Sequence, residues 1–155
     1  MKKIVSIILL AVMISLFSFT IFAQDINVSF NVDPTYTVII PTEVVLEPQA
    51  DGTYAKDQTI SATNVRLSNG SVVKVTLVSG FKLKNAEDTV ELPYKVKIGE
   101  GSPINSGEEV AKFTTNGNLA AVQTSETLHF IADKPEYAGN YSDTVTFTIS
   151  VVSAS

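Results

Sequence analysis

The stretch that decides the fold lies near the end of the chain and reads Tyr141-Ser142-Asp143-Thr144-Val145-Thr146-Phe147-Thr148-Ile149-Ser150-Val151. From Val145 onward every second residue is apolar, and the residues between them are Thr or Ser. Successive side chains of a β-strand point to opposite faces of a sheet. The stretch therefore predicts a strand with one buried face and one solvated face.

The same alternation recurs along most of the chain. It appears in Ile26–Val32, Tyr36–Ile40, Val44–Leu46, Val73–Leu77, Phe81–Leu83, Val90–Ile98 and Leu128–Ala132. Turn-forming residues separate these runs, and no segment after residue 24 keeps a helical period over three turns. We expect an all-β protein, an immunoglobulin-like antiparallel β-sandwich of about eight or nine strands. A closed β-barrel is the second possible architecture.

Two local features predict how neighbouring strands pair. Asn69-Gly70 is a strong signal for a two-residue hairpin, which would pair Leu67 with Val72. The apolar period breaks at Asn64, so we expect either a β-bulge there or a crossing between sheets.

Pro93 interrupts the polar face of the longest alternating run. Proline cannot donate a backbone hydrogen bond and is confined to edge strands and bulges. We therefore expect Val90–Ile98 to be an edge strand, with outward Lys95 and Lys97 discouraging the addition of a foreign strand.

The N-terminus has the pattern of a secretory signal peptide. Lys2 and Lys3 precede an apolar run that ends at the small residue Ala23. We expect residues 1–23 to form a signal-peptide helix that is cleaved, leaving a single domain of residues 24–155. An uncleaved N-terminal anchor is the alternative.

The expected mature chain is acidic. Cleavage after Ala23 removes Lys2 and Lys3 from the 11 basic residues, so 9 basic residues face 16 acidic ones. The net charge of −7 disfavours nucleic-acid binding and association with an anionic membrane surface. We expect a secreted or cell-surface protein with no nucleic-acid partner and no membrane association after cleavage.

Metal and cofactor chemistry find little support in the composition. The chain has no Cys and a single histidine, His129, which only carboxylates such as Glu126 and Asp143 could join as metal ligands. Glu100, Glu108 and Glu109 surround a glycine-rich loop, but their spacing is not that of a calcium loop. We expect no metal site and no cofactor.

Enzymatic chemistry finds equally little support. No nucleophile-elbow pattern surrounds a serine, although paired carboxylates of a glycosidase could still be brought together by strand register. Tyr54 and Tyr137 are the loop tyrosines that could form a platform for a sugar. We expect no catalytic residues and no enzyme.

The segment before the last strand predicts a structural corner. Gly139 can take backbone conformations that other residues avoid, and Tyr141 enters the strand pointing inward. Together with Asp143 they have the pattern of the tyrosine corner of immunoglobulin-like sandwiches.

The segment Ala138 to Phe147 resembles the AGxYxDTxTVT strand near the C-terminus of small secreted β-sandwich surface proteins of Gram-positive bacteria. The stretch Tyr36 to Pro41 is similar to the YTVTIP strand that opens such domains. A weaker resemblance is to spore-coat-U-type pilus subunits, whose domains usually carry cysteines that this chain lacks. The resemblance implies an extracellular immunoglobulin-like domain with a structural or adhesive role, and it carries over no catalytic residue.

Three functional hypotheses follow. The first is a non-enzymatic structural or adhesion protein, such as a subunit of a cell-surface fibre, whose partners are other copies or other surface proteins. The N-terminal run could then be an exchanged strand, inserting Ile26, Val28, Phe30 and Val32 into a neighbour. The alternative, which we prefer, is that this run is the ordinary first strand of its own sandwich. The second hypothesis is a carbohydrate-binding or other ligand-binding module, with glycans as partners. The third is an enzyme, for which the sequence offers no organised site.

Overall fold

The computed structural model describes residues 27–85 and 89–154, which fall into two units, one ending at Val32 and one beginning at Asp33. The predicted signal peptide lies outside the described residues, as does Ile26. From Asp33 onward the chain is all-β, and the described residues contain no helix. No helix long and apolar enough to cross a membrane occurs in them either.

Twelve strands are present in the described residues, more than expected, and three of them are only two residues long. They are β1 Thr35–Ile39, β2 Glu47–Pro48, β3 Tyr54–Gln58, β4 Ser61–Arg66, β5 Ser71–Val78, β6 Lys82–Asn85, β7 Glu91–Ile98, β8 Glu108–Thr114, β9 Gln123–Thr124, β10 Leu128–Ala132, β11 Tyr141–Ser142 and β12 Thr146–Ser153.

The strands form a sandwich of two antiparallel layers. One layer contains the order β11-β6-β7-β10-β3-β2 and, continuing from it, β1-β4-β9. These two sheets join because β3 runs on into β4 beside β9 and β10, where Ser125 N–H donates to Ile60 O at 2.8 Å. The second layer has the order β12-β5-β8. The sandwich predicted from the alternating pattern is confirmed.

The core lies between the layers and is almost entirely apolar. Its largest fully buried side chains are Phe113, Ile60, Leu77, Leu128, Val65, Val73, Val75 and Val96. In β5, Val73, Val75 and Leu77 occupy alternate positions, which is the pattern that one-sided burial produces. Ser79 is the one polar residue buried among the described residues.

The break in period at Asn64 is a β-bulge. Thr35 pairs with Arg66 but Thr37 pairs with Thr63, so β4 contains an extra residue at this point. Asn64 takes a φ of 55°, in the left-handed region that Asn tolerates better than most residues. The bulge turns Val65 back toward the core after Ala62.

The hairpin predicted at Asn69-Gly70 is wrong. A turn is present, with Ser71 N–H donating to Ser68 O at 3.0 Å, but β4 and β5 belong to different layers. Gly70 has a φ of 74°. Asn69 does not have a positive φ, because Asn64 and Phe81 are the only described non-glycine residues that do. A type I′ hairpin turn needs positive φ at both central residues, so this turn instead carries the chain across the sandwich.

The prediction that β7 is an edge strand is also wrong. β7 pairs with β6 on one side and β10 on the other. Tyr94 N–H donates toward β6, to Phe81 O at 3.0 Å, so the nitrogen of the preceding Pro93 is directed toward β10. Since β10 ends at Ala132, opposite Tyr94, the proline lies beyond its last residue and interrupts no ladder bond. Lys95 and Lys97 therefore do not guard an edge.

Candidate strand-binding groove

β12 presents an open edge whose core-facing side chains are incompletely covered. In its sheet it pairs with β5 alone, with Phe147 opposite Leu77, Ile149 opposite Val75 and Val151 opposite Val73. Directly opposed residues of an antiparallel pair point to the same face.

The exposure of these opposed residues is very unequal. The β5 residues are 0 % exposed, but Ile149 is 36 % and Val151 44 % exposed. The core-facing side chains of β12 are therefore left partly exposed, whereas those of β5 are buried. A missing neighbouring strand beside β12 would produce this difference.

β1 is a second edge strand in the same unit. It pairs with β4 alone in the order β1-β4-β9. Val38, opposite the fully buried Ala62, is only partly buried, and so are Ile40, Val44 and Leu46 after it. Unpaired edges backed by apolar side chains are templates for the addition of another strand.

A cavity of about 710 Å³ opens between the segment 41–46 and the start of β12. Its floor is apolar and consists of Leu83, Leu92, Tyr94, Phe130 and Ala132, and Val145 and Phe147 line its β12 side. Protein interiors are close-packed, with few voids larger than a water molecule, which occupies about 30 Å³. The cavity is therefore too large to be a packing defect. We refer to this cavity and the adjoining open edge of β12 as the groove.

A polar cluster borders the groove where β12 begins. Ser79 Oγ lies 2.8 Å from Tyr94 Oη and 2.7 Å from Asp143 Oδ2, and Tyr94 Oη lies 2.8 Å from the same carboxylate oxygen. Ser79 and Tyr94 have one hydroxyl proton each, so only two of these three contacts can be hydrogen bonds at the same time. Phe81 N–H donates to Ser79 Oγ at 2.8 Å, and Thr144 N–H donates to Asp143 Oδ1 at 2.8 Å. The cluster thus connects the residue that follows β5, the middle of β7 and the segment between β11 and β12.

The pKa of the Tyr94 phenol is raised well above its ordinary value. Burial is the main cause that raises the pKa of Tyr94, the hydrogen bond with Ser79 acts against it, and Asp143 raises it further. Tyr94 therefore remains a neutral hydrogen-bonding group rather than an activated base. Its ring packs edge-on against Phe81, with the ring centroids 5.7 Å apart.

The residues predicted to form a structural corner border the same cavity. Tyr141 Oη donates to the carbonyl oxygen of Tyr137 at 3.0 Å, which is the hydrogen bond that a tyrosine corner makes to upstream backbone. Gly139 has a φ of 156°, and Asp143 belongs to the polar cluster. A purely structural role for the three residues stays a prediction.

The residues predicted to be exchanged are highly exposed. Asn27–Val32 lies outside any strand, and Val28 and Phe30 are each 90 % exposed. Val32 is about half exposed. The exchanged strand and the alternative, a first strand of its own sandwich, both stay predictions.

The other candidate residues do not assemble a catalytic or metal site in the described ranges. His129 Nδ1 lies 2.6 Å from Asp57 Oδ1, the residue directly opposite it on β3. No group of three potential metal ligands occurs in residues 27–85 and 89–154. Tyr54 and Tyr137 both line the cavity, and Tyr137 is more than half exposed.

Sequence reasoning missed the role of Ser79 and Tyr94. Tyr94 was indistinguishable from its apolar neighbours in the Val90–Ile98 run, and Ser79 precedes a glycine as many loop serines do. Their contact with Asp143 spans 64 and 49 residues, so no local pattern could have revealed it.

No protein-family model matches the sequence, and no curated protein matches it. Solved structures do share its architecture. The P pilus rod subunit PapA is 12 % identical, with 76 % of this chain and 99 % of PapA covered and a TM-score of 0.53. A subunit of a chaperone-usher pilus is 15 % identical, with 84 % and 98 % covered and a TM-score of 0.51.

Two further neighbours come from chaperone-adhesin complexes. One is the CsuC–CsuE pre-assembly complex of Csu pili from Acinetobacter baumannii, 16 % identical, with 76 % of this chain covered and a TM-score of 0.52. The other is the chaperone-tip adhesin complex of CFA/I fimbriae, 20 % identical, with 76 % covered and a TM-score of 0.51. This chain spans 40 % and 42 % of the matching chains. At these identities the likeness shows the fold alone, and that fold is the one found in pilus subunits.

Proposed function

We propose that this chain is a non-enzymatic subunit of an extracellular bacterial fibre, in which a strand of one copy fills the groove of the next. The observation that carries the proposal is the exposure of Ile149 and Val151 on the core face of β12, opposite fully buried residues of β5. Addition of a strand to an open sheet edge satisfies backbone groups and buries alternate side chains, as in pilin assembly.

The N-terminal run is the strand that we propose for insertion. Ile26, Val28, Phe30 and Val32 alternate with polar residues, and the core-facing residues beside the groove, Val145, Phe147, Ile149 and Val151, have the same spacing. Seven residues of a strand span roughly 20 Å. The donor run and the open edge therefore match in length and in number of apolar side chains.

The comparisons support a fibre or adhesion role at the level of fold. The neighbours are described as a pilus rod subunit, a pilus and chaperone complexes of tip adhesion subunits. Secretion, cleavage after Ala23 and a Gram-positive source stay predictions. N-terminal sequencing of the exported protein would test cleavage, with Gln24 as the expected first residue.

Two complementary variants of the chain from residue 24 to 155 test the proposal. Phe30→Asp places a charge on the donor strand and leaves the groove intact, whereas Ile149→Asp places a charge in the groove and leaves the donor intact. We expect each variant alone to be monomeric by size exclusion with light scattering. Mixed together, they should form a heterodimer that grows no further, because only one donor and one groove remain functional.

Charge-matched controls carry the same substitution on the polar face. Ser29→Asp lies next to Phe30, and Ser150→Asp lies next to Ile149 opposite Lys74. Both controls should assemble like the parent chain. A parent chain that stays monomeric at all concentrations, or a mixture of the two variants that does not associate, would refute strand exchange between copies.

Glycan binding is a second candidate function, favoured by Tyr54 and Tyr137 at the cavity. The monomeric Phe30→Asp variant keeps both tyrosines and an unfilled groove, so it is the form to apply to a glycan array. Binding that is lost in a Tyr137→Ala variant would support this function, and silence on the array would count against it.

A further inference from the structure

We infer that Ser79, Tyr94 and Asp143 position the cavity end of the groove for strand insertion, so that the cluster is part of the acceptor machinery rather than of the core alone. The inference rests on the proposed function. Tyr94 and Asp143 line the cavity themselves, whereas Ser79 does not line it and acts through them.

The first argument is that the cavity wall bonded to the cluster, residues 143–145, is not held in place by strand pairing. Asp143, Thr144 and Val145 lie between β11 and β12 and belong to neither strand. Val145 nevertheless lines the cavity and precedes the open edge. Asp143 accepts hydrogen bonds from Thr144 N–H of this segment, from Ser79 just after β5 and from Tyr94 of the opposite layer, and it thereby ties the segment to both layers.

The second argument is local backbone strain. Phe81 has a φ of 52°, an unfavourable conformation for a bulky residue, which persists only where its surroundings enforce it. The cluster supplies that enforcement: Ser79 Oγ accepts from Phe81 N–H, Tyr94 N–H donates to Phe81 O, and the two rings are in contact. Strained residues of this kind concentrate at functional sites.

The third argument is the place of the cluster in an otherwise apolar core. Polar side chains are costly to bury unless they are fully paired, and an apolar residue at position 79 would fill the space without that cost. Hydrogen bonds are directional, so the network of Ser79, Tyr94 and Asp143 fixes the position of Asp143 relative to the cavity floor, which apolar packing would not do. In an unfilled groove, where the walls have no strand between them, that placement keeps the cavity open for the incoming side chains.

The test measures acceptor activity in the monomeric Phe30→Asp background, with the Ile149→Asp variant as the donor. Ser79→Ala removes the hydroxyl that contacts both partners, and Tyr94→Phe deletes one oxygen while keeping the ring of the floor. Val110→Ala is the control, because Val110 is buried in β8 and does not line the cavity. Biolayer interferometry gives the dissociation constant and both rates, and urea unfolding gives the stability of each acceptor.

We expect Ser79→Ala and Tyr94→Phe to weaken donor binding by about tenfold or more, as loss of a hydrogen bond to a charged group does. Val110→Ala should leave binding within about threefold at a comparable loss of stability. Unchanged binding by Tyr94→Phe, or equal weakening by Val110→Ala, would overturn the positioning role while leaving the proposed function intact. Failure of the parent pair to bind would instead overturn the proposed function, and this inference with it.

Discussion

Replacement of Phe30 by Ala should separate the stability of the subunit from the strength of the junction. Phe30 is 90 % exposed in the unassembled chain, so its truncation should change the free energy of unfolding by less than about 0.5 kcal/mol. Full burial of a Phe side chain is worth about 1.5–3 kcal/mol. If insertion buries the ring, truncation should cost the junction about 2 kcal/mol, which raises its dissociation constant about 30-fold.

The assay uses a single junction, so that polymerisation does not complicate the result. A donor that carries Ile149→Asp, with or without Phe30→Ala, is titrated against the Phe30→Asp acceptor, and each donor is unfolded separately in urea. Ser29→Ala, on the polar face of the same segment, is the matched control and should change neither quantity. The reasoning is refuted if Phe30→Ala lowers the unfolding free energy of the monomer by about 2 kcal/mol, because the ring would then belong to its own sandwich. A change in binding of less than about threefold would refute it equally.

Three further predictions concern the fold itself. Phe113→Ala, at a site 1 % exposed, should lower the unfolding free energy by about 3–5 kcal/mol in urea titrations, and a loss below about 1 kcal/mol would contradict the assigned core. Asn69→Pro should be tolerated or stabilise by up to about 1 kcal/mol, because only Gly70 of the turn needs positive φ; a loss of several kcal/mol would point to the hairpin turn after all. Stability should fall as the pH rises above about 10, because the unfolded state then releases the Tyr94 proton that the folded state retains with its raised pKa. Tyr94→Phe should flatten that alkaline slope of urea-derived stability, and an equally steep slope in the variant would assign the effect to other groups.

The groove contains residues whose sequence pattern predicts ordinary burial in a strand. Ile149 and Val151 have the alternation of a strand with one buried face, and their side chains do point to the core face. They are nonetheless partly exposed, because burial of an edge residue depends on whether a further strand lies beside it. A segment with the right alternation of apolar residues occurs in the same sequence at Ile26–Val32, and the proposed exchange between copies would use it.

The sequence by itself determined the all-β class, the faces of the main strands and the irregularity at Asn64. These properties are local, because a period of two residues reports which side chains share a face wherever the strand is placed. The hydrogen bond at the predicted corner is local as well, since Tyr141 donates to a backbone carbonyl only four residues away.

Only the tertiary structure decided which strands are neighbours. Asn69-Gly70 makes a turn in either topology, and the backbone conformation of Asn69 determines whether the chain returns along the same sheet or crosses to the other layer. Pro93 is tolerated in a central strand because β10 ends at Ala132, a residue almost 40 positions away in the sequence. The open edge of β12 and the Ser79–Tyr94–Asp143 cluster are of the same kind. Both depend on pairings between distant segments, which the alternation of apolar residues permits but does not specify.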